Sequence, residues 1–342
     1  MKRGRSMKKT RLREVPVGEA VGLRLAHDLT QIIPGRFKGR LFRKGHVVTE
    51  EDIPKLLDIG KAHIYVLELG EGDLHEDDAA LRLAKALAGD GVVFGDPAEG
   101  KVTLRAERTG LAAVDEAFVR SVNEIGDIAL ATVRRDTVLK PGERIAAVRA
   151  IPLVIEERKI AEAEALAAEW RARHGGGPLS VRPLRSVRAG LLVTGSEVYS
   201  GRIRDGFGPV VRAKLEALGS EVAEQRFAPD DRQQIVKEIH YLLEQGYDII
   251  LVTGGMSVDP DDRTPGAIRE AGADIVSYGT PMLPGSMLLV GYLGNVPILG
   301  LPGCVMHDPY TSFDVLLPRI LAGDRITRDT VAGMGYGGLQ HG

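Results

Sequence analysis

A chain of 342 residues, 44% hydrophobic and 27% charged, has the composition of a soluble globular protein and the length of two or three domains. A formal net charge of −2 excludes bulk attraction to nucleic acid or a membrane surface, and no apolar run reaches the roughly 18 residues of a membrane helix. The one cysteine, Cys304, excludes an intramolecular disulfide and a polycysteine zinc site and suits a reducing cytoplasm.

Residues 1–14 read as a disordered basic tail, with Met7 as a second possible translation start; no signal-peptide apolar core follows. Residues 15–174 read as a mixed α+β region, with a compact unit over 15–70 at its start. There Thr49 stands as N-cap before Glu50-Glu51-Asp52, and Ile53, Leu56 and Leu57 give the helix an apolar face. His63 to Leu67 follows as a strand. The block Arg43-Lys44-Gly45-His46 reads as a solvated loop, and His46 and His63 as structural. An amphipathic helix is expected over 76–90, strands near 92–94 and 101–104, a helix over 111–123, and strands over 128–138 and 145–155. Glu156 to Arg173 is a helix with Ala163, Leu166 and Trp170 on one side. Gly175-Gly176-Gly177-Pro178 stops it and opens a linker expected over 175–186.

Over 187–325 strands and helices alternate, which predicts a doubly wound, mostly parallel α/β sheet. Strands are expected at 187–194, 221–227, 249–252, 287–292 and 296–299. Helices are expected at 206–218, 230–245, 264–271 and 305–321. The run Ile249-Ile250-Leu251-Val252 suits a strand buried on both faces. It leads into Thr253-Gly254-Gly255, then Ser257 and the carboxylates Asp259, Asp261 and Asp262. Paired glycines let main chain approach an anion, and carboxylates beside a phosphate call for a divalent cation between them. Two more Gly-rich turns follow strands, Thr194-Gly195-Ser196-Glu197 and Leu301-Pro302-Gly303-Cys304. Parallel strands bring such turns to one sheet edge, where ligands of open α/β sheets bind. Asp205 reads equally as a ligand contact or a cap for the helix that follows.

The ordered motifs TGSEV (194–198), IRDGF (203–207), GGMSVDPDD (254–262), PGS (284–286) and LPGC (301–304) resemble the molybdopterin-binding domain of the molybdopterin molybdotransferase family, over about residues 187–322. The resemblance implies an enzyme of molybdenum-cofactor biosynthesis that binds molybdopterin or its adenylylated form, acts with Mg²⁺ and molybdate, and works as a homodimer with a molybdoenzyme or other proteins of the cofactor pathway as partners. It implies that Glu197 and Asp262 hold the metal and serve catalysis. Gly254, Gly255 and Ser257 would hold the phosphate, and Thr194, Gly195, Ser196, Asp205, Thr264, Pro284, Gly285, Ser286, Pro302, Gly303 and Cys304 would complete the ligand site. The chain departs from the family at Ser196 (Asp in the family), Phe207 (Asn), Ser286 (Lys) and Cys304-Val305 (Asn-Pro), and the Asp-Gly-Tyr-Ala signature of the family's N-terminal domain is not found. Two rivals stand beside this reading. One is a nucleotide pyrophosphatase of the competence-damage-inducible type, suggested by Asp261-Asp262-Arg263-Thr264. The other is a carrier that binds molybdopterin without turnover.

Overall fold

The computed structural model describes residues 10–33, 37–256 and 263–340. They fall into two compact units, one built from residues up to 108 together with 112–181, the other from 109–111 together with 182 onward.

In the first unit, Arg11–Pro16 pairs antiparallel with His63–Glu68, which also pairs with Arg24–Leu25. The disordered tail expected over 1–14 therefore meets a strand at Arg11, and residues 1–9 lie outside the described residues. The helix expected after Thr49 is Asp52–Asp58. Its N-cap is Glu51 and not Thr49, because the turn before it places Thr49 three residues ahead of the first helical residue; Asp52 is buried and accepts from the Thr49 amide at 3.1 Å and hydroxyl at 2.9 Å. Its Oδ2 also lies 2.7 Å from His46 Nε2, which gives that histidine the structural role its sequence setting suggested. Beyond residue 70, Val92–Phe94, Lys101–Ala106, Arg144–Ala150 and Ile128–Thr132 form an antiparallel sheet. Helix Glu76–Leu87 buries Ala80, Leu83, Ala84 and Leu87 in the core of this sheet. The Arg82 guanidinium on that helix forks onto Glu164 at 2.9 and 2.7 Å and reaches Glu157 at 2.6 Å, tying it to helix Glu157–His174. The helix expected over 111–123 is corrected. Gly110–Ala113 is a strand, and Asp115 accepts from the Phe118 amide at 2.7 Å to start the helix Glu116–Glu124. In the 175–186 stretch, Leu179 is buried and Ser180–Pro183 is a strand.

The second unit is organised on a six-stranded sheet in the order Glu221–Ala228, Arg188–Thr194, Ile249–Thr253, Val296–Leu301, Leu289–Leu293, Asp274–Tyr278. The first four run parallel; Leu289–Leu293 is antiparallel to both its neighbours. Side-chain alternation divides the core between the two faces. Leu191, Val193, Leu251 and Leu299 pack with Val211 and Leu215 of helix Phe207–Glu216 and with Phe313, Leu316 and Leu317 of helix Ser312–Leu321. Leu192, Ile250, Val252 and Ile298 pack with Ile235, Ile239 and Leu242 of helix Arg232–Glu244 and with Ala267 and Ile268 of helix Thr264–Glu270. All five residues of Ile249–Thr253 are buried, as a strand covered on both faces requires. This is the doubly wound, mostly parallel α/β architecture. Two elements differ from expectation. Asp274–Tyr278 is an edge strand where none was expected, and the last helix begins at Ser312 rather than near 305 because Gly303–Met306 forms a 3₁₀ turn first. A capping box between Thr311 and Asp314 sets the true start.

Candidate functional site

The register of the parallel strands decides which turns meet. Val193 lies opposite Thr253, and Thr253 opposite Leu301, so the turns that begin at Thr194, Thr253 and Leu301 leave the same edge. Two of them are joined by buried hydroxyls. Thr194 Oγ1 donates to the Thr253 carbonyl at 3.0 Å and lies 3.1 Å from Thr264 Oγ1. The Thr194 proton being spent on the carbonyl, the Thr264 hydroxyl is the donor in the second bond. Gly254 holds φ +87° directly beside this relay, and a Cβ there would lie 2.2 Å from the Thr194 carbonyl oxygen. Only glycine allows that backbone and that approach together. Beyond it, Met256 is buried. Its carbonyl accepts from the Tyr278 hydroxyl at 3.1 Å, and its side chain lies over Gly300, where any Cβ would fall 2.5 Å from the Met256 methyl.

A cavity of about 520 Å³ opens beside these turns, within the size range of small-molecule sites. Its walls are Gly254–Met256, Leu301–Cys304, Leu283–Met287 and Phe207. None of these carries a formal charge at neutral pH. Burial, with Asp308 behind it, pushes the Cys304 thiol up, so it stays protonated. The Leu283–Met287 wall is braced from below: the Gly285 carbonyl accepts from the hydroxyls of Thr280 at 2.9 Å and Ser312 at 2.7 Å.

Of the residues predicted for the site, the cavity gathers Gly254, Gly255, Pro284, Gly285, Ser286, Pro302, Gly303 and Cys304. Thr194 and Thr264 form the buried relay behind it. Gly195, Ser196 and Glu197 are not among its lining residues. Their loop meets instead the end of the neighbouring strand, where the Ser196 amide donates to Asp230 Oδ2 at 2.8 Å and the Asp230 amide donates to Ser196 Oγ at 3.1 Å. Glu197 is exposed and makes no side-chain hydrogen bond or ion pair among the described residues. Asp205 caps the following helix, accepting from the amides of Phe207 at 2.8 Å and Gly208 at 3.0 Å, and takes a third bond from Gln225 Nε2 at 2.6 Å. Of its two sequence readings, the cap is the one with partners in the fold. Ser257, Asp259, Asp261 and Asp262 lie outside the described residues. Among the described residues no group of three or more His, Cys, Asp or Glu side chains is placed to hold a metal. Sequence reasoning missed the mutual hold of Ser196 and Asp230. The pair Asp230-Asp231 at a strand end was the available signal, read there only as a helix start; Asp231 alone is that cap, accepting from the Gln234 amide at 2.9 Å.

This unit is therefore an open α/β domain with a neutral cavity at the carboxyl edge of its parallel strands, the edge at which such sheets bind ligands. Residues 190–322, which lie within the C-terminal unit, match the family model described as a probable molybdopterin binding domain. Residues 14–68 match a model described only as a domain of unknown function. Among curated relatives, a CinA-like protein of Mycobacterium avium (strain 104) is 37% identical over 92 residues, 27% of this chain and 21% of that protein. A molybdopterin molybdenumtransferase of Staphylococcus aureus (strain COL) is 29% identical over 134 residues, 37% of this chain and 32% of that protein. The chain thus spans about a fifth of the CinA-like relatives' length and about a third of the molybdenumtransferase's. The solved molybdopterin biosynthesis enzyme MoaB of Thermus thermophilus is 26% identical and covers 40% of this chain and 98% of its own, with a TM-score of 0.34. No described helix is long and apolar enough to cross a membrane.

Proposed function

We propose that the C-terminal unit binds molybdopterin or its adenylylated form, and that the chain acts in molybdenum-cofactor biosynthesis as a molybdotransferase-like enzyme. The observation that carries this reading is the coincidence of cavity and family. Every residue lining the 520 Å³ cavity, from Phe207 to Cys304, falls inside the matched region 190–322. The chemistry agrees. A cavity lined largely by apolar residues and glycines suits a heteroaromatic ring, and the Ser286 hydroxyl and turn amides would meet its polar edge. The bare main chain at Gly254-Gly255 suits a phosphate. Glu197 and Asp262 are the pair we assign to Mg²⁺; such an ion, when bound, supplies positive charge against the phosphates. Glu197 is the one of the two within the described residues, and its carboxylate, without a partner among the described residues, is available for that duty.

A second reading, a nucleotide pyrophosphatase, draws support from the match to CinA-like proteins. One preparation separates the two. The chain is purified gently without oxygen and the ligand that travels with it is identified by mass spectrometry. The same sample is then offered ADP-ribose with Mg²⁺, and molybdopterin with molybdate. A bound pterin and no hydrolysis of ADP-ribose are expected. Hydrolysis of ADP-ribose together with indifference to molybdopterin would replace the first reading by the second. Sedimentation of the same sample tests the homodimer that goes with the first.

A further inference from the structure

The segment after the matched region is built onto the cavity wall. Past residue 322 the chain is anchored in the second unit's core by buried Ile326 and Val331, and the Ile326 amide donates to the Tyr292 hydroxyl at 2.7 Å. Helix Arg328–Gly333 carries it back toward the carboxyl edge, and a turn closes with the Gly338 amide donating to the Gly335 carbonyl at 3.2 Å. The segment then lies beside Leu283. The Leu283 amide donates to the Gly338 carbonyl at 3.0 Å, and the Gln340 amide donates to the Leu283 carbonyl at 2.9 Å, as in a parallel bridge between Leu283 and Leu339. Both main-chain polar groups of Leu283 are thus used by this segment. Leu283 itself is 56% exposed and has little side-chain burial to hold it. Yet it is the first residue of the Leu283–Met287 wall. Gly338 is fitted to the contact: a Cβ there would lie 2.5 Å from the Pro281 carbonyl oxygen and 2.4 Å from that of Met334.

We infer that Gly335–Gln340 is a strap that positions the Leu283–Ser286 wall for the ligand, so that residues outside the recognised domain set its affinity. The inference rests on the reading of the cavity as a molybdopterin site. The far side of the wall is braced by Thr280 and Ser312 on Gly285, whereas the near side at Leu283 is braced by the strap. Releasing the strap frees one end of the wall and leaves the sheet and both its cores untouched.

Two substitutions in the full-length chain test this. Gln340→Pro removes the amide that bonds the Leu283 carbonyl. Gly338→Ala pushes a Cβ against the Pro281 carbonyl. Two quantities are read in each, hydrogen exchange of the peptide spanning 281–287 and the dissociation constant for molybdopterin measured without oxygen. Exchange at the Leu283 amide should rise at least fivefold, the scale of one main-chain hydrogen bond, and affinity should fall about fivefold or more, while exchange in strands 188–194 and 249–253 stays unchanged. Faster exchange at Leu283 with wild-type affinity would overturn the strap's role while leaving the ligand in place. Unchanged exchange in both variants would overturn it as well. A wild-type chain with no affinity for molybdopterin would overturn the ligand reading and the strap's role with it, and the wild-type measurement alone reveals that case.

Discussion

The threonine relay at the head of the cavity gives a sharp test of how the turns are held. In Thr194→Val the shape is kept and the hydroxyl is lost. The Thr253 carbonyl loses a donor and the Thr264 hydroxyl loses its acceptor, in a place where all three residues are at most 3% exposed. A stranded buried hydroxyl costs about 2 kcal/mol, the lost bond to the Thr253 carbonyl about another 1 kcal/mol, and the added methyl returns about 0.8 kcal/mol, so the net loss should be about 2 kcal/mol. Thr264→Val is milder, because Thr194 still donates to Thr253; about 1 kcal/mol is expected. In the double variant no hydroxyl is stranded, so its cost should be about 1.5 kcal/mol and not the sum of about 3 kcal/mol, a coupling of about 1.5 kcal/mol. A two-unit chain need not unfold in one step, so the measurement should be native-state hydrogen exchange at the amides of Leu191, Leu192 and Val193, which report the sheet that carries the relay. Additive costs within about 0.5 kcal/mol would refute the reasoning, since they would mean the two hydroxyls do not depend on each other. A cost below about 0.5 kcal/mol for Thr194→Val would refute it too, because surface-like indifference is incompatible with a buried donor pair.

Other outcomes follow from the site and its supports. Glu197→Gln should leave apo stability within about 0.5 kcal/mol, because the carboxylate has no described partner, yet weaken Mg²⁺-dependent molybdopterin binding about tenfold, or about 1.4 kcal/mol. Asp262→Asn should do the same, and unchanged Mg²⁺-dependent affinity in both variants would end the metal assignment. Asp324 should govern part of the acid stability of the second unit. Burial alone would raise its pKa, but hydrogen bonds from Arg182 and Arg319 outweigh burial and hold it below the usual carboxylate range. A depressed folded pKa contributes stability that is present above the unfolded value of about 3.9 and fades as pH falls through the folded one, so Asp324→Asn should flatten the pH dependence of unfolding below about pH 4. Its loss at neutral pH should be about 1 kcal/mol after discounting for solvent screening, and an unaltered acid profile would show the arginines are not its stabilising partners. A chain starting at Ser180 should fold with one cooperative transition in urea, because helices from 207–321 cover both faces of its sheet. A gradual, non-cooperative unfolding curve would count against it.

How much of this was legible before the structure depended on how local the cause was. Ile249–Thr253 announced itself because a short β-branched run between turn signals suits a strand buried on both faces. The Gly-rich turns could be placed at one edge because parallel strands leave no alternative. Asp274–Tyr278 was not legible. Its residues are half-buried or, at Asp274 and Tyr278, exposed at the sheet's edge, so no apolar run marks it. The late start of helix Ser312–Leu321 had a signal, Thr311 with Asp314 three residues on, that was outweighed by the apolar residues of the 3₁₀ turn before it. In the first unit, Leu111 to Asn123 mixes a buried strand and a helix in thirteen residues, and one period fitted to both gave a single helix. Within the site, glycines were readable but the walls were not. Phe207 and the Leu283–Met287 stretch come from separate segments, and nothing in their local sequence marks them as neighbours.

The side-chain departures from the molybdotransferase pattern take on a different weight once the walls are seen. Ser286, Cys304 and Phe207 stand where that family has lysine, asparagine and asparagine, yet the cavity persists. Two of its lining glycines are held against fixed groups at distances that no side chain tolerates. A Cβ on Gly254 would meet the Thr194 carbonyl at 2.2 Å, and one on Gly285, at φ +118°, would meet Ser312 Oγ at 2.3 Å and its amide nitrogen at 2.6 Å. The partners are a backbone carbonyl, a backbone amide and a fully buried hydroxyl that itself bonds Gly285, so none can swing aside. Shape here is set in part by glycines, and none of the lining residues carries a formal charge. A cavity built this way can exchange lining side chains without losing its space, so under the proposed function the family departures bear on molybdate insertion, which the Glu197 and Asp262 variants test, more than on binding.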